Sequence, residues 1–217
     1  MTKRFGFTLA EVLITLGIIG VVAAMTMPTL MNSTQGAQYK AAYKKALSAL
    51  SQAVTLNVAL DEWNFADLDG GDKDSSYSLE KMLTTRMNVV RQEYGALTDA
   101  KGKTYEPSNS NGEKITVGTG NTTLFFNDGI MFSYKTAGAK ACTKADGATA
   151  NECTGFIDVN GLKAPNKIVK CDNATGSSTA TESTCQIKNP TDVYPVVFYD
   201  QTILPNSVAA RAVLYSK

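Results

Sequence analysis

The longest apolar segment of the chain lies near its N-terminus. From Val12 to Met31 the sequence VLITLGIIGVVAAMTMPTLM has no charged residue, and 14 of its 20 residues are apolar. A helix of about 20 such residues spans about 30 Å, the hydrocarbon thickness of a bilayer. The pattern therefore predicts a transmembrane helix at about residues 9–31.

The helical pattern continues in amphipathic form after this segment. Apolar side chains recur every three or four residues at Tyr39, Tyr43, Leu47, Leu50, Val54 and Val58. We therefore predict one long helix over residues 7–62, whose second half is buried against the rest of the protein. Pro28 removes one backbone hydrogen bond, and Asn32, Ser33 and Gly36 are weak helix formers. We expect a bend in this region, or local melting on assembly.

A linker, a second helix and several short strands are predicted after the long helix. The acidic stretch at residues 67–76 lacks the Gly and Glu positions of a calcium-binding EF-hand loop, so we interpret it as a solvated turn, and a cation site of another type is the alternative. A helix is predicted at residues 78–95. Strands are predicted at residues 122–126, 130–134, 155–159, 194–199, 202–204 and 209–215, with Asn127-Asp128-Gly129 as the turn of a hairpin.

These elements together predict an α+β fold. The long N-terminal helix packs on a small antiparallel β-sheet, and residues 63–217 form the globular head.

The composition excludes several classes of catalytic and metal site. The chain has 217 residues, 21 basic and 20 acidic side chains, and no histidine. The absence of histidine excludes Ser-His-Asp and Cys-His nucleophiles and any His-ligated zinc. A formal charge of +1 gives no reason to expect a nucleic-acid partner. No motif indicates a cofactor, a metal or a catalytic site, so we expect a protein that is not an enzyme.

The charges around the apolar segment predict its orientation. Lys3 and Arg4 precede the segment, and the next basic residue is Lys40. Positive residues hold the N-terminus in the cytoplasm, so the rest of the chain faces outward. A removable secretory signal is the simpler alternative. The apolar segment is longer than a usual signal, has no clear cleavage site after it, and is preceded by Glu11.

Glu11 is the unusual residue of this segment. An uncompensated carboxylate deep in a bilayer costs about 2.5 to 3.5 kcal/mol on insertion scales, so Glu11 needs a partner. Cleavage between Gly6 and Phe7 would create an α-amino group four residues before Glu11, about one helical turn away. If this amine belongs to a neighbouring chain, the pairing fixes how two helices align.

The stretch KRFGFTLAEVLI at residues 3–14 closely resembles the leader and methylation motif of type IV pilins and type II secretion pseudopilins. The resemblance implies that a prepilin peptidase removes residues 1–6, with Gly6 as the last leader residue and Phe7 as the methylated mature N-terminus. It also implies that Glu11 aligns subunits. Pro28 lies where many pilins have a helix-bending proline.

The same resemblance implies partners and a location. The chain is expected in the bacterial inner membrane as a single-pass protein, and then in a periplasmic pseudopilus or an extracellular pilus. Its expected partners are other pilins, in a homo-oligomeric or hetero-oligomeric filament, together with an inner-membrane assembly platform. The alternative is a single-span, membrane-anchored exported protein that binds a ligand and does not polymerise.

A second, C-terminal stretch also resembles prepilin-type proteins. It comprises residues 157–166, with the sequence IDVNGLKAPN, and later Asp192-Val193-Tyr194, separated by an insertion of roughly 25 residues. We interpret Asp158, Asn160 and Asn166 as turn residues, and ion binding is the alternative.

The four cysteines, Cys142, Cys153, Cys171 and Cys185, all lie in the exported part, where disulfides form. They permit three pairings. We expect Cys142 with Cys153 and Cys171 with Cys185, each closing a local loop. Zinc bound by four thiolates is the alternative, but the spacing lacks a C-x2-C motif.

Overall fold

The computed structural model of the chain describes residues 6–72, 74–98, 102–109, 112–144, 153–173 and 180–215. Its helices are α1 (Leu9–Asp61), α2 (Leu79–Arg86) and α3 (Val208–Tyr215), with a short 3-10 turn at Phe65–Asp67. Its strands are β1 (Val89–Tyr94), β2 (Asn121–Phe126), β3 (Met131–Lys135), β4 (Cys153–Asp158), β5 (Val193–Tyr199) and β6 (Thr202–Pro205).

The first helix is a single element of 53 residues. At a rise of 1.5 Å per residue it is about 80 Å long. Thr8 caps its N-terminus, and Glu62 ends it in the left-handed conformation at φ 62°. The helix continues through Pro28 without interruption. The expected melting near this residue concerns an assembled state and stays a prediction.

All six strands form one antiparallel sheet in the order β1-β2-β3-β4-β5-β6. The predicted hairpin is present as β2 and β3. Gly129 has φ +85° in its turn, a conformation that side chains with a Cβ disfavour. The predicted strands near residues 155, 194 and 202 correspond to β4, β5 and β6. The α+β fold, a long helix on a small antiparallel sheet, is therefore confirmed.

The second half of α1 forms the core together with the sheet. Four residues of the predicted apolar stripe, Tyr43, Leu47, Leu50 and Val54, are buried, and Tyr39 and Val58 are partly buried against the same core. Tyr43 stacks on Tyr194 of β5, with the ring centroids 4.0 Å apart. The other face of the sheet is covered by loops that bury a smaller apolar cluster around Tyr105 and Phe156.

The helix predicted at residues 78–95 is too long. Helix α2 ends at Arg86, and Val89–Tyr94 form the edge strand β1. The prediction extends this far because Met87, Val90 and Tyr94 follow one another at spacings of three and four residues, which here is coincidental. Val89 and Val90 are β-branched and favour a strand. As strand β1, the segment forms five residue pairings with β2.

The strand predicted at residues 209–215 is also wrong. This segment is helix α3. Its buried residues Ala209, Ala210 and Val213 have helical spacing, and alanine is the best helix former. The hydroxyl of Ser207 accepts a hydrogen bond from the Ala210 backbone N–H at 3.0 Å, which caps the helix.

Candidate functional site

The predicted processing residues, Gly6 and Phe7, lie just before α1. Gly6, Phe7 and Thr8 are not helical, and Phe7 is 90% exposed. Apart from Gly6 and its neighbours in the chain, no atom of the described residues lies within 4 Å of where a Cβ on Gly6 would be. Among the described residues, Gly6 and Phe7 are therefore not packed against the head.

Glu11 and Thr8 form a capping box at the start of α1. The Glu11 carboxylate accepts hydrogen bonds from the Thr8 backbone N–H and the Thr8 hydroxyl, both at 2.8 Å. The Thr8 hydroxyl accepts one from the Glu11 backbone N–H at 3.2 Å. These bonds satisfy N–H groups that a helix start leaves unpaired. Sequence reasoning missed this role, although the Thr-x-x-Glu spacing is its known signal.

The capping box gives Glu11 a partner within its own chain. Cleavage after Gly6 leaves both Thr8 and Glu11 in place, so a new amine at Phe7 would compete with the hydroxyl of Thr8 for one carboxylate. The pairing of Glu11 with that amine stays a prediction.

Residues 7–31, which we call the shaft, are all exposed except the partly exposed Ala23. Fourteen large apolar side chains in the shaft face solvent, among them Ile14, Ile18 and Leu30. The most apolar 18-residue window of α1 has a mean hydropathy of 2.2, and none of it is buried. By length and composition, α1 is the one helix in the described parts of the chain that qualifies to cross a membrane.

Pro28 lies in the shaft and is exposed. Proline has no N–H, so the carbonyl of Ala24 loses its helical donor. The hydroxyls of Thr26 and Thr34 bond back to the carbonyls of Val22 and Leu30 in the neighbouring turns, at 3.0 and 2.9 Å. The helix is nevertheless continuous on both sides of the proline.

The structure has both expected disulfides, Cys142–Cys153 and Cys171–Cys185, with Cα atoms 5.5 and 5.0 Å apart. Cys142 also ties two distant segments together. Its backbone N–H donates to the Phe65 carbonyl at 3.0 Å, and its carbonyl accepts from Asp200 N–H at 2.8 Å. The first disulfide therefore anchors its loop to the turn after α1 and to the turn between β5 and β6.

Asp158 and Asp192 form a buried carboxylate pair that sequence reasoning missed. Asp158 accepts hydrogen bonds from the Tyr105 hydroxyl and from Asn160 N–H. Asp192 accepts from the backbone N–H of Asn166 and Lys167 at 2.9 and 2.6 Å. Burial raises the pKa of both carboxyls, and the charge of Asp192 raises that of Asp158 further.

The bonds from Asn160, Asn166 and Lys167 hold the segment that follows β4, so Asp158 has the turn role expected of it. In the described parts of the chain, no three His, Cys, Asp or Glu side chains are grouped so as to hold a metal ion.

The fold and the shaft together define a pilin-like α+β protein, in which a long helix with an exposed apolar first half carries an antiparallel head. Residues 1–27 match the family model described as a prokaryotic N-terminal methylation motif. This motif is the signature of type IV pilins and pseudopilins. No curated protein and no solved structure matches the chain significantly.

Proposed function

We propose that this chain is a structural, non-enzymatic subunit of a type IV pilus or a type II secretion pseudopilus. A prepilin peptidase cleaves it between Gly6 and Phe7, and the shaft then packs against the shafts of other subunits. Before assembly the shaft lies in the bacterial inner membrane, with the N-terminus in the cytoplasm. The methylation motif at residues 1–27 supports the processing step.

The exposure of the shaft is the observation that carries this proposal. The head has its own core and covers none of the most apolar window of α1. Burying apolar surface contributes about 25 cal/mol per Å². An uncovered shaft of this size therefore requires either lipid or other shafts around it. The membrane supplies the lipid before assembly, and a filament supplies the neighbouring shafts after extraction from the membrane.

Processing is tested by replacing Gly6 with Trp. A bulky residue before the scissile bond should block cleavage, so the full-length chain with Met1 or Thr2 at its start accumulates. Gly20→Leu, in the same apolar segment, is the control and should be cleaved normally. Mass spectrometry of the wild type should find an N-methylated Phe7. A mature wild-type chain that begins beyond Leu30 would disprove the proposal.

Assembly is tested by comparing Glu11→Ala with Thr8→Val. Both changes break the capping box, but only the first removes the carboxylate. If Glu11 aligns subunits through an amine, filaments counted by electron microscopy should fall at least about tenfold in Glu11→Ala and stay near wild type in Thr8→Val. An equal loss of filaments in both variants would mean that Glu11 acts only as a helix cap.

The same experiments address the alternative, a single-span exported binding protein that does not polymerise. Crosslinking of membranes should then give only monomer, and the N-terminus should remain uncut. Crosslinked ladders of processed chain are the outcome that our proposal predicts.

A further inference from the structure

Strand β1 is an open edge of the sheet. It pairs with β2 on one side, and in the described parts of the chain no strand lies on its other side. The opposite edge, β6, has only four residues and includes Pro205, which has no N–H to donate. An edge with free N–H and C=O groups is a template for a further strand. Of the two edges, β1 is therefore the one suited to pairing.

The backbone of β1 directs the groups of alternate residues to this open edge. The N–H of Gly95, directly after the strand, donates to the Asn121 carbonyl of β2 at 2.9 Å. Consecutive residues of a strand direct their backbone groups to opposite sides. The N–H and C=O groups of Gln92 and Tyr94 therefore point away from β2, toward the open edge.

The charged side chains of β1 are placed symmetrically around Gln92. Arg91 precedes it and Glu93 follows it, so the two charges share one face of the strand, where Nη2 of Arg91 lies 2.6 Å from Oε1 of Glu93. The Arg91 guanidinium also lies over the Phe125 ring of β2, 4.8 Å from its centroid. Charges of one sign would repel a second copy of the strand, whereas these opposite charges match it.

An antiparallel pairing of two β1 strands about Gln92 uses the backbone and the charges together. Gln92 of each copy exchanges N–H···O bonds with Gln92 of the other. Arg91 of each copy comes opposite Glu93 of the other, so every charge has neighbours of opposite sign along the strand and across it. At each end Val90 comes opposite Tyr94, and these are the large apolar side chains that β1 exposes, at 63% and 51%.

We propose that β1 pairs with β1 of a second copy of this chain, about a two-fold axis at Gln92, so that two six-stranded sheets become one. The backbone direction and the charges select the same register independently. The β-bulge between Val89 and Arg91 ends the regular part of the strand, so the pairing is short.

The symmetry of the pair determines which chains it joins. The two-fold axis between antiparallel strands of one sheet is perpendicular to that sheet, and α1 packs on one face of the sheet. Rotation about this axis reverses the direction of α1, so the two shafts point in opposite directions. In the filament proposed above the shafts are parallel, because all chains leave the same membrane. The pairing therefore joins chains that do not belong to one filament, and it does not depend on the filament role.

Disulfide trapping tests the register. Gln92→Cys brings two thiols opposite each other, at a Cα separation of about 5.5 Å that a disulfide spans. Asn88→Cys, which is also exposed and lies just before β1, is the matched control. It leaves the pairing residues unchanged, and its two copies would be more than about 20 Å apart. The native cysteines are already paired in disulfides.

The full-length chain of each variant is purified in detergent, where shafts are free to point either way, and is oxidised mildly. Non-reducing gels should show at least about five times more linked dimer from Gln92→Cys than from Asn88→Cys. Absence of linked dimer in Gln92→Cys, or an equal yield from both variants, would overturn the proposal. A dimer linked only between Gln92→Cys and Leu204→Cys chains would assign the edge to β6 of a second copy instead.

Charge reversal in the Gln92→Cys chain tests what selects the partner. Arg91→Glu and Glu93→Arg each place like charges opposite one another, so each should reduce the linked dimer at least about fivefold. An equimolar mixture of the two variants should restore it, because an acidic strand then faces a basic one. Mixing does not refold a damaged chain, so recovery separates pairing from stability. No recovery in the mixture, or no loss in the single variants, would disprove recognition by charge and with it the proposal.

Discussion

Asp158 and Asp192 couple the stability of the head to pH. Both lie inside the head with raised pKa, for which burial is the main cause. Tyr105 donates to Asp158, and neither carboxylate has an ion-pair partner among the described residues. An acid with a raised pKa in the folded state binds more protons than the unfolded chain does. The stability that it contributes is therefore lost as the pH rises above its unfolded pKa near 3.8.

We therefore predict that the free energy of unfolding decreases between pH 5 and pH 7, and that Asp158→Asn flattens this decrease. The lowered pKa of Asp69, due mainly to a hydrogen bond from Ser75, acts in the opposite direction. So does that of Asp172, where backbone N–H bonds from Lys188 and Asn189 outweigh burial. Their effect is complete above about pH 4, outside this window.

Urea unfolding followed by Trp63 fluorescence measures the effect. The surface variant Asp128→Asn is the control, because its carboxylate pairs with exposed Lys45. A free energy of unfolding that increases from pH 5 to pH 7 would contradict the prediction. So would a decrease that Asp158→Asn leaves unchanged.

At this scale the sequence predicted both disulfides, whose cysteines lie close together in the chain, and missed groups that only the fold brings together. The roles predicted for Gly6 and Phe7 from a local motif stay predictions. Asp158 and Asp192 are 34 positions apart, so only the fold brings these two carboxylates together. The missed capping box is different, since its spacing was visible in the sequence.

Among the elements, the long helix shows how one continuous segment serves two environments. Its N-terminal half is exposed, whereas Tyr43 to Asn57 contribute seven buried residues to the head. The transition was predictable because the sequence changes from uniformly apolar to amphipathic near Tyr39. Strand β1 was not predictable in the same way, because its side chains are mostly exposed and show no alternation.

Leu50 and Leu16 test this division of α1. Leu50 is 2% exposed and Leu16 is 61% exposed. We predict that Leu50→Ala lowers the stability of the head by about 2 to 5 kcal/mol, the usual cost of a buried cavity. Leu16→Ala should leave that stability unchanged and instead reduce filament yield.

Chemical unfolding in detergent and filament counts by electron microscopy separate the two effects. The division would be wrong if Leu16→Ala destabilised the head as much as Leu50→Ala.

At the scale of the whole molecule, the head is independent of the shaft. Every residue of the core clusters lies at Tyr39 or beyond. We predict that a chain lacking residues 1–35 folds as a soluble monomer, because it keeps the whole core and loses the exposed apolar surface. Its thermal unfolding temperature should match that of the head in the full chain within a few degrees.

Light scattering after size exclusion, together with circular dichroism, measures these properties. Aggregation of the truncated chain, or loss of its cooperative transition, would mean that the shaft stabilises the head.

If the chain assembles as we propose, the bare shaft also determines how subunits leave the filament. Its fourteen large apolar side chains each cost about 1.5 to 3 kcal/mol when returned to water, a total above about 20 kcal/mol. A severed fibre in the medium consequently sheds no monomers, however dilute the surroundings. Subunits leave only at an end that touches a bilayer, where each shaft exchanges its neighbours for lipid. Disassembly of the filament is thereby confined to the cell envelope, and filament fragments released from the cell persist.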